Sequence, residues 1–228
     1  MASIRDMSPI KRRLLRLNPS AFLLVAQLLV LVLHALFDDL KSQRGLISAF
    51  SVLILILVVW VLSRNVKVSW FVWTLAGGSF TLSLLSAFIE NKNLLAWSSL
   101  LEALLYFYAA GGLIVYMMSD DKVTKDELFG LGATFTLLAW GFAYLYLVCQ
   151  TWLPGSFLSS MITERPLTFL EFLSLSFTNL TATGLGDIMP ISATARILVM
   201  LTQFVGIGYV AVVVSRLISL TTQKKKRL

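Results

Sequence analysis

Long apolar stretches recur along the whole 228-residue chain and limit it to one class of fold. A helix needs about 20 mostly apolar residues to cross about 30 Å of hydrocarbon. Six stretches approach or exceed that length, at about residues 21–37, 46–63, 70–89, 94–118, 130–152 and 195–220. With 57% apolar and only 14% charged residues, the composition is not that of a soluble domain. The sequence therefore predicts an all-α membrane protein with six transmembrane helices.

Basic residues are concentrated at the two ends of the chain. Residues 1–20 carry five basic side chains and a single acid, Asp6, among apolar residues, which predicts a short interfacial helix facing anionic headgroups. Residues 221–228 form a basic tail that contains the run KKKR. A cleaved signal peptide would also place a basic region before an apolar one. The stretch that follows is long, however, and lacks a clear small-residue cleavage site.

The basic residues of the loops predict the topology. With the N terminus inside, Arg64 after the second stretch and Lys122 after the fourth lie on the same side as the tail. Because Lys and Arg accumulate in cytoplasmic loops, both termini are predicted to be cytoplasmic, in the plasma (inner) membrane. We attribute the net charge of +7 to the membrane topology and to contact of the termini with anionic lipids, and not to nucleic-acid binding.

The segment between the last two apolar stretches is too long for a turn and too polar for a span. Pro154 and Gly155 end the preceding helix. Residues 168–179 have helical length and one apolar face, which predicts a helix that enters the membrane to half depth. Its carboxyl end, with the partial negative charge of the helix dipole, would then point towards the loop that follows.

That loop, residues 181–187, reads TATGLGD. Gly184 and Gly186 make positive φ angles accessible at two nearby positions, so the loop can direct successive carbonyl groups the same way. Irregular backbone at membrane depth is tolerated only where it is buried in protein or lines a watery path, and a dehydrated cation is the natural ligand for such carbonyls. An isolated G-x-G is otherwise a tight turn, but the position of this one between a half-depth helix and a final apolar stretch favours a channel.

Residues 168–217, with SFTNLTATGLGDIMP at their centre, resemble the pore domain of tetrameric potassium channels. The filter of that family reads T-T-V-G-Y-G-D and is followed by a nearby proline. Thr181, Gly184, Gly186, Asp187 and Pro190 fall on this pattern. The resemblance implies a re-entrant pore helix and filter loop between the fifth and sixth spans, in a homotetramer.

Three positions depart from the family pattern. Ala182 stands where the family has the threonine whose hydroxyl helps form the innermost ion site, Thr183 replaces valine, and Leu185 replaces an aromatic residue. Leu175 also stands where many members have tryptophan, so support around the loop is expected to rest on packing alone.

The resemblance implies that backbone rings hold potassium ions and that no other metal or cofactor is bound. The ion-binding filter is the run Ala182, Thr183, Gly184, Leu185 and Gly186, and the outer-mouth acid that attracts cations is Asp187. The expected function is a potassium-favouring cation channel that discriminates less well against sodium than TVGYG would.

Other functions are kept as alternatives. Ala182 and Leu185 leave open a weakly selective or non-selective cation channel, and a non-conducting membrane scaffold with a degenerate pore. A secondary transporter would show two related halves, whereas this loop occurs once. The sequence contains no constellation of His, Asp and Cys that resembles a catalytic site, so the protein is not expected to be an enzyme.

The plan of six spans with a loop between the last two resembles that of voltage-gated channels. Each gating charge that crosses the membrane field is worth about 2.3 kcal/mol per 100 mV, yet the fourth stretch, 94–118, contains no Lys or Arg. Residues 21–118 are therefore predicted to form a voltage-sensor-like domain without gating arginines. A cytoplasmic linker at 119–129 would join it to the pore domain at 130–220, and strong voltage gating is not expected.

Four further residues are candidates for gating. Gly206 lies about twenty residues past Gly186, where the inner helix of the resembled family bends, and Gly208 follows it; the alternative is close helix packing through small residues. Glu102 is an intramembrane carboxylate, which is by default a functional candidate, although it could be neutral, paired with a base such as Lys92, or hydrogen-bonded to a tyrosine. His34 is expected at the membrane interface, and a proton switch between His34 and Glu102 is a further hypothesis.

Overall fold

The computed structural model describes most of the carboxyl-terminal half of the chain and parts of the amino-terminal half. The described residues are 19–37, 74–79, 81–82, 85, 92–118, 125–161, 165–184 and 186–226. The predicted interfacial segment before residue 19, the second apolar stretch, most of the third and Leu185 lie outside them. Residues 74–79, within the third stretch, are helical.

The described chain is almost entirely helical. The helices are α1, Pro19–Phe37; α2, Lys92–Met118; α3, Lys125–Trp152; α4, Phe169–Leu180; and α5, Ala193–Lys226. Two short strands, β1 at Phe157–Ser159 and β2 at Ile188–Pro190, lie on either side of α4 in the sequence.

Three of the described helices are long and apolar enough to cross a membrane, namely Asn93–Met118, Asp126–Trp152 and Ala193–Arg216. They correspond to the predicted fourth, fifth and sixth spans. The predicted first span falls on a shorter apolar helix, Ser20–His34. The protein is therefore a helical membrane protein.

Helix α3 is the centre of the described fold. It contacts α1, α2, α4 and α5, and its Trp140 and Tyr146 side chains are among the largest that are fully buried. Within its most apolar window 72% is buried, compared with only 17% for α5. Helix α5 therefore exposes most of its apolar surface outside the single chain.

The start of α3 differs from the prediction. The helix begins at Lys125, inside the predicted linker 119–129, and carries Asp126 and Glu127 in its first turn, where acidic side chains interact favourably with the helix dipole. Asp126 also accepts hydrogen bonds from the backbone N–H of Ser20 (3.0 Å) and from its hydroxyl (2.9 Å). Because the first N–H groups of a helix have no partner within it, this contact ties the beginning of α1 to that of α3.

Helix α4 begins one residue after Thr168, close to the predicted boundary. Thr168 is the N-cap of a capping box, in which its hydroxyl accepts from the Glu171 N–H while the Glu171 carboxylate accepts from the Thr168 N–H (2.6 Å). Arg165 forms an ion pair with the same carboxylate at 2.9 Å. These contacts set where the short helix starts.

The two strands bring together the two ends of the segment that contains α4. Strands β1 and β2 pair antiparallel with Phe157 opposite Pro190 and Ser159 opposite Ile188. Gly155 supplies the left-handed turn (φ 84°) that follows α3, in agreement with the predicted helix end at Pro154–Gly155. The chain therefore returns to the beginning of the segment before it enters α5.

Replacing Thr168 by Ala removes the cap of α4. We expect Thr168→Ala to lower the free energy of unfolding by about 1 kcal/mol, the usual cost of an N-cap threonine. The measurement is thermal unfolding of the purified protein in detergent. Ser174→Ala, at an exposed position on the same helix, is the matched control, and equal stability of the two variants would contradict the capping role.

Candidate functional site

The glycine-containing loop begins at the last turn of α4 in an uncommon backbone conformation. Thr181 ends the helix in the right-handed region (φ −82°, ψ −4°). Ala182 (φ 55°) and Gly184 (φ 64°) are both left-handed, and Thr183 between them is not. A left-handed alanine costs about 1–2 kcal/mol, so contacts around the loop must hold it in this form.

Those contacts converge on the carbonyl oxygen of Thr178, near the end of α4. It accepts hydrogen bonds from the N–H groups of Thr183 (3.0 Å) and Gly184 (3.3 Å) and from the Thr183 hydroxyl (3.2 Å). The Thr181 hydroxyl lies 3.2 Å from the same oxygen and donates mainly to the nearer Phe177 carbonyl, at 2.8 Å. The N–H of Ala182 is bonded in a similar way to the Asn179 carbonyl, at 3.0 Å. The first half of the loop is thus held against the carboxyl end of α4.

These bonds determine the direction of the loop carbonyls. A trans peptide is planar, and its C=O and N–H groups point in opposite directions. Because the N–H groups of Thr183 and Gly184 point to α4, the carbonyls of the same two peptides, those of Ala182 and Thr183, point away from it. No donor in the described part of the chain bonds to these two oxygens, and both residues are exposed.

The other end of the loop is fixed to β1. The Asp187 carboxylate accepts a hydrogen bond from the Ser159 hydroxyl (2.8 Å), and the Asp187 carbonyl accepts one from the Ser160 N–H (2.9 Å). The predicted outer-mouth acid is half-buried and oriented by this strand, so its carboxylate has a structural partner in addition to any cation it attracts.

A polar junction of four residues, Tyr146, Asn179, Thr202 and Gln203, lies behind the loop. Gln203 on α5 donates to the Asn179 side-chain oxygen (3.1 Å), and the Asn179 amide donates to the Leu175 carbonyl (2.8 Å). The Thr202 hydroxyl donates to Leu198 (2.8 Å), so it accepts from the Tyr146 hydroxyl at 2.5 Å.

The junction overturns the expectation that only packing supports the loop. That expectation considered Leu175 and Leu185, which cannot form such bonds, and overlooked the polar residues of the two flanking helices. Tyr146, Thr202 and Gln203 stand within long apolar stretches of the sequence, where polar side chains need a partner. This was the signal that could have identified them.

Gly206 lies where α5 touches the end of α4. A Cβ atom built at this position would overlap the Leu180 carbonyl oxygen and lie 2.7 Å from the Leu180 Cα. Glycine, which has no side chain, is therefore required at position 206 for α4 and α5 to approach this closely. The close-packing alternative for Gly206 is supported, and the hinge stays a prediction.

The region that contains the loop is similar to a known protein family. Residues 132–223, from the first turns of α3 through the loop to nearly the end of α5, match the family model described as "Ion channel". Residues 132–223 are therefore similar to ion channels, and we call them the channel-like region. No curated protein and no solved structure matched the chain.

Gly208 differs from Gly206 within the channel-like region. No heavy atom of the described residues lies within 4 Å of a Cβ built at Gly208, and the residue is exposed. Since α5 is helical on both sides, nothing in the packing of the single chain requires glycine there. Its role in gating stays a prediction.

His34 and Glu102 lie beside the channel-like region, in an aromatic cluster, and not at the loop. His34 is 5% exposed, so it is buried and not interfacial as expected; its ring contacts Trp140 (5.6 Å between centroids) and Phe169 (5.9 Å). Glu102 hydrogen-bonds Tyr144, which is one of the alternatives considered for it. Tyr144 also contacts Phe169 at 4.5 Å.

The cluster thus reaches the first residue of α4 from two sides. One oxygen of the Glu102 carboxylate, Oε2, has no hydrogen-bond partner among the described residues, which in a buried carboxylate calls for an explanation. The proton switch between His34 and Glu102 stays a prediction.

The two glycines of α5 provide a matched test of packing. Gly206→Ala introduces a methyl group against the Leu180 backbone and is expected to destabilise the protein by about 1–3 kcal/mol, the usual cost of overpacking. Gly208→Ala is expected to be neutral. Thermal unfolding of both variants is the measurement. Equal stability, with conduction lost only in Gly206→Ala, would instead favour a bend at this position.

The junction can be tested with a double-mutant cycle. Gln203→Leu leaves the buried Asn179 oxygen without this donor, which is expected to cost about 1–3 kcal/mol. In the background of Asn179→Leu the same change should cost much less, because both partners are then apolar. Unfolding free energies of the two single variants and the double variant give the coupling. Additive effects would show that the pair does not act as a unit.

Proposed function

We propose that this protein is a potassium-favouring cation channel in which four copies of the chain place their 181–187 loops around one axis. The orientation of the Ala182 and Thr183 carbonyls carries the proposal. Oxygens that face away from α4 and accept no hydrogen bond within the described chain are suited to replace the hydration shell of a cation.

The strain in the loop supports the same function. Left-handed Ala182 is kept by hydrogen bonds from Thr183 and Gly184 to one carbonyl, that of Thr178. Strained backbone that its surroundings hold in place is concentrated at ligand-binding sites. Here Ala182 and Gly184 have positive φ angles and Thr183 between them does not. This alternation keeps neighbouring carbonyls on one side of the loop.

The exposed surface of α5 supports assembly into a homotetramer. One loop supplies only a fraction of the oxygen ligands that a dehydrated cation needs, so several copies must meet. Along residues 193–216 the large apolar side chains that remain exposed include Met200, Phe204 and Ile207 on one face of the helix and Leu201 and Val212 on another. Contacts with neighbouring subunits on one side and with lipid on the other would cover them.

Selectivity for potassium is expected to be incomplete. Ala182 has no hydroxyl to contribute to an innermost site, and the Thr183 hydroxyl is bonded to Thr178, so it does not replace the missing group. The innermost site then depends on carbonyls and water. The same observation makes a weakly selective cation channel the second candidate function.

The remaining features follow from sequence and helix positions. Helix α2, without Lys or Arg between residues 93 and 118, would act as a scaffold and not as a voltage sensor. The six spans, the re-entrant course of α4 and a plasma membrane location with both termini in the cytoplasm belong to this proposal, in accord with the distribution of basic residues.

Ion flux from purified protein in liposomes tests the proposed function. We expect passive potassium flux without a coupled gradient, and a reversal potential closer to the potassium than to the sodium equilibrium potential. A reversal potential that tracks both gradients equally would select the weakly selective channel. Absence of flux for every monovalent cation would contradict conduction and leave a membrane scaffold.

Restoring the family residues should improve discrimination. We expect the double substitution Ala182→Thr with Leu185→Tyr to move the reversal potential further towards the potassium value, because it adds a hydroxyl ligand and a hydrogen-bonding ring. The control makes the same two changes at exposed positions outside the loop, Ala193→Thr with Leu158→Tyr. The same shift in both pairs, or in neither, would argue against the loop as the selectivity filter.

A further inference from the structure

An apolar cavity of about 230 Å³ opens between α2, α3 and the second half of α5. Its apolar lining comes from all three helices and includes Ile114, Met117, Leu131, Val205, Gly208 and Val212. Gly208 contributes to the space directly, because no atom lies within 4 Å of a Cβ built there. The cavity belongs to neither the loop nor the junction behind it.

Two polar side chains line the cavity, and they differ in character. The Tyr209 hydroxyl donates to the Leu131 carbonyl (2.6 Å), which anchors it to α3. Arg216 is the charged member of the lining, and its Nη2 lies 3.3 Å from Glu127 Oε2. The Arg216 and Glu127 side chains are only 18% and 6% exposed. The guanidinium group of Arg216 is therefore held close to the wall of the cavity.

The apolar lining and the volume of the cavity limit which molecules can occupy it. Water gains little in a cavity with an apolar lining, since it needs two to four polar partners. The volume is smaller than the roughly 300–1,000 Å³ of pockets that enclose drug-sized molecules, so the cavity admits only part of an acyl chain, the rest of which would lie in the bilayer. A guanidinium binds phosphate through planar, charge-assisted hydrogen bonds.

We propose that this cavity is a binding site for an anionic phospholipid, with one acyl chain between α2, α3 and α5 and the phosphate on Arg216. Bound phosphate and the Glu127 carboxylate compete for the same guanidinium. The carboxyl-terminal run KKKR, which follows Arg216 on the same side of the membrane, attracts anionic headgroups to this end of α5. The site is independent of which ion the channel conducts.

Lipid binding to the purified full chain tests the proposal without any measurement of conduction. Native mass spectrometry in detergent compares dioleoyl phosphatidylglycerol with dioleoyl phosphatidylcholine, which share their acyl chains and differ in net charge. We expect the anionic lipid to bind about tenfold more tightly, the factor that corresponds to one charge-assisted hydrogen bond. Equal affinity for the two lipids would overturn the proposal.

Three charge variants separate headgroup recognition from a structural role. Arg216→Gln should remove the preference for phosphatidylglycerol, whereas Arg196→Gln, at the exposed opposite end of α5, should keep it. Glu127→Gln removes the competing carboxylate and should strengthen binding of phosphatidylglycerol severalfold. Weaker binding in Glu127→Gln would contradict competition for Arg216, and this variant remains informative if Arg216→Gln fails to fold.

Filling the cavity tests the position of the acyl chain. Gly208→Leu should weaken binding of phosphatidylglycerol about tenfold, because its side chain occupies the space of the chain. Gly111→Leu, at an exposed position on α2 that also has no atom within 4 Å, should leave binding unchanged. Equal lipid binding by the two variants, with a changed number of subunits in Gly208→Leu alone, would show that a second copy of the chain fills the cavity instead.

Discussion

The carbonyl oxygen of Thr178 is the single group on which the conformation of the loop depends. The last carbonyls of a helix have no partner within it and carry the negative end of its dipole. Here the loop itself provides the donors, with two backbone N–H groups and the Thr183 hydroxyl on this oxygen, and the Thr181 hydroxyl on the neighbouring Phe177 carbonyl. Because peptide groups are planar, the bonds that hold the loop to α4 also turn the Ala182 and Thr183 carbonyls outward.

Around this contact, the channel-like region is stabilised by hydrogen bonds between polar side chains of different helices. Asn179 and Gln203 join the end of α4 to α5, and Tyr146 with Thr202 joins α3 to α5. In hydrocarbon such groups have few other partners, so they specify which helix faces which. The apolar residues fill the space between helices, while the junction sets their register.

Much of the architecture could be read from the sequence, because apolar length and helix-breaking residues are local signals. The boundaries of α4 and the end of α3 followed from Thr168 and from Pro154–Gly155, and the predicted fourth, fifth and sixth spans coincide with helices. The start of α3 at Lys125 was missed because it depends on a contact with α1, which no local pattern reveals.

The site was less accessible for a related reason. Glycine spacing identified the loop, and the family resemblance to potassium channels agrees with the match to an ion channel family. The junction could not be derived, because Tyr146 and Asn179 are distant in sequence and meet only through tertiary packing. The burial of His34 escaped prediction in the same way, since its neighbours Trp140 and Phe169 come from two other helices.

The approach of Gly206 to Leu180 brings two main chains together with no side chain between them. A side chain can rotate and absorb a small displacement, but peptide groups in direct contact are stiff. We therefore expect a translation of α5 along its axis to displace the last turn of α4, two residues from Ala182. The glycine would in this way couple the position of α5 to the loop.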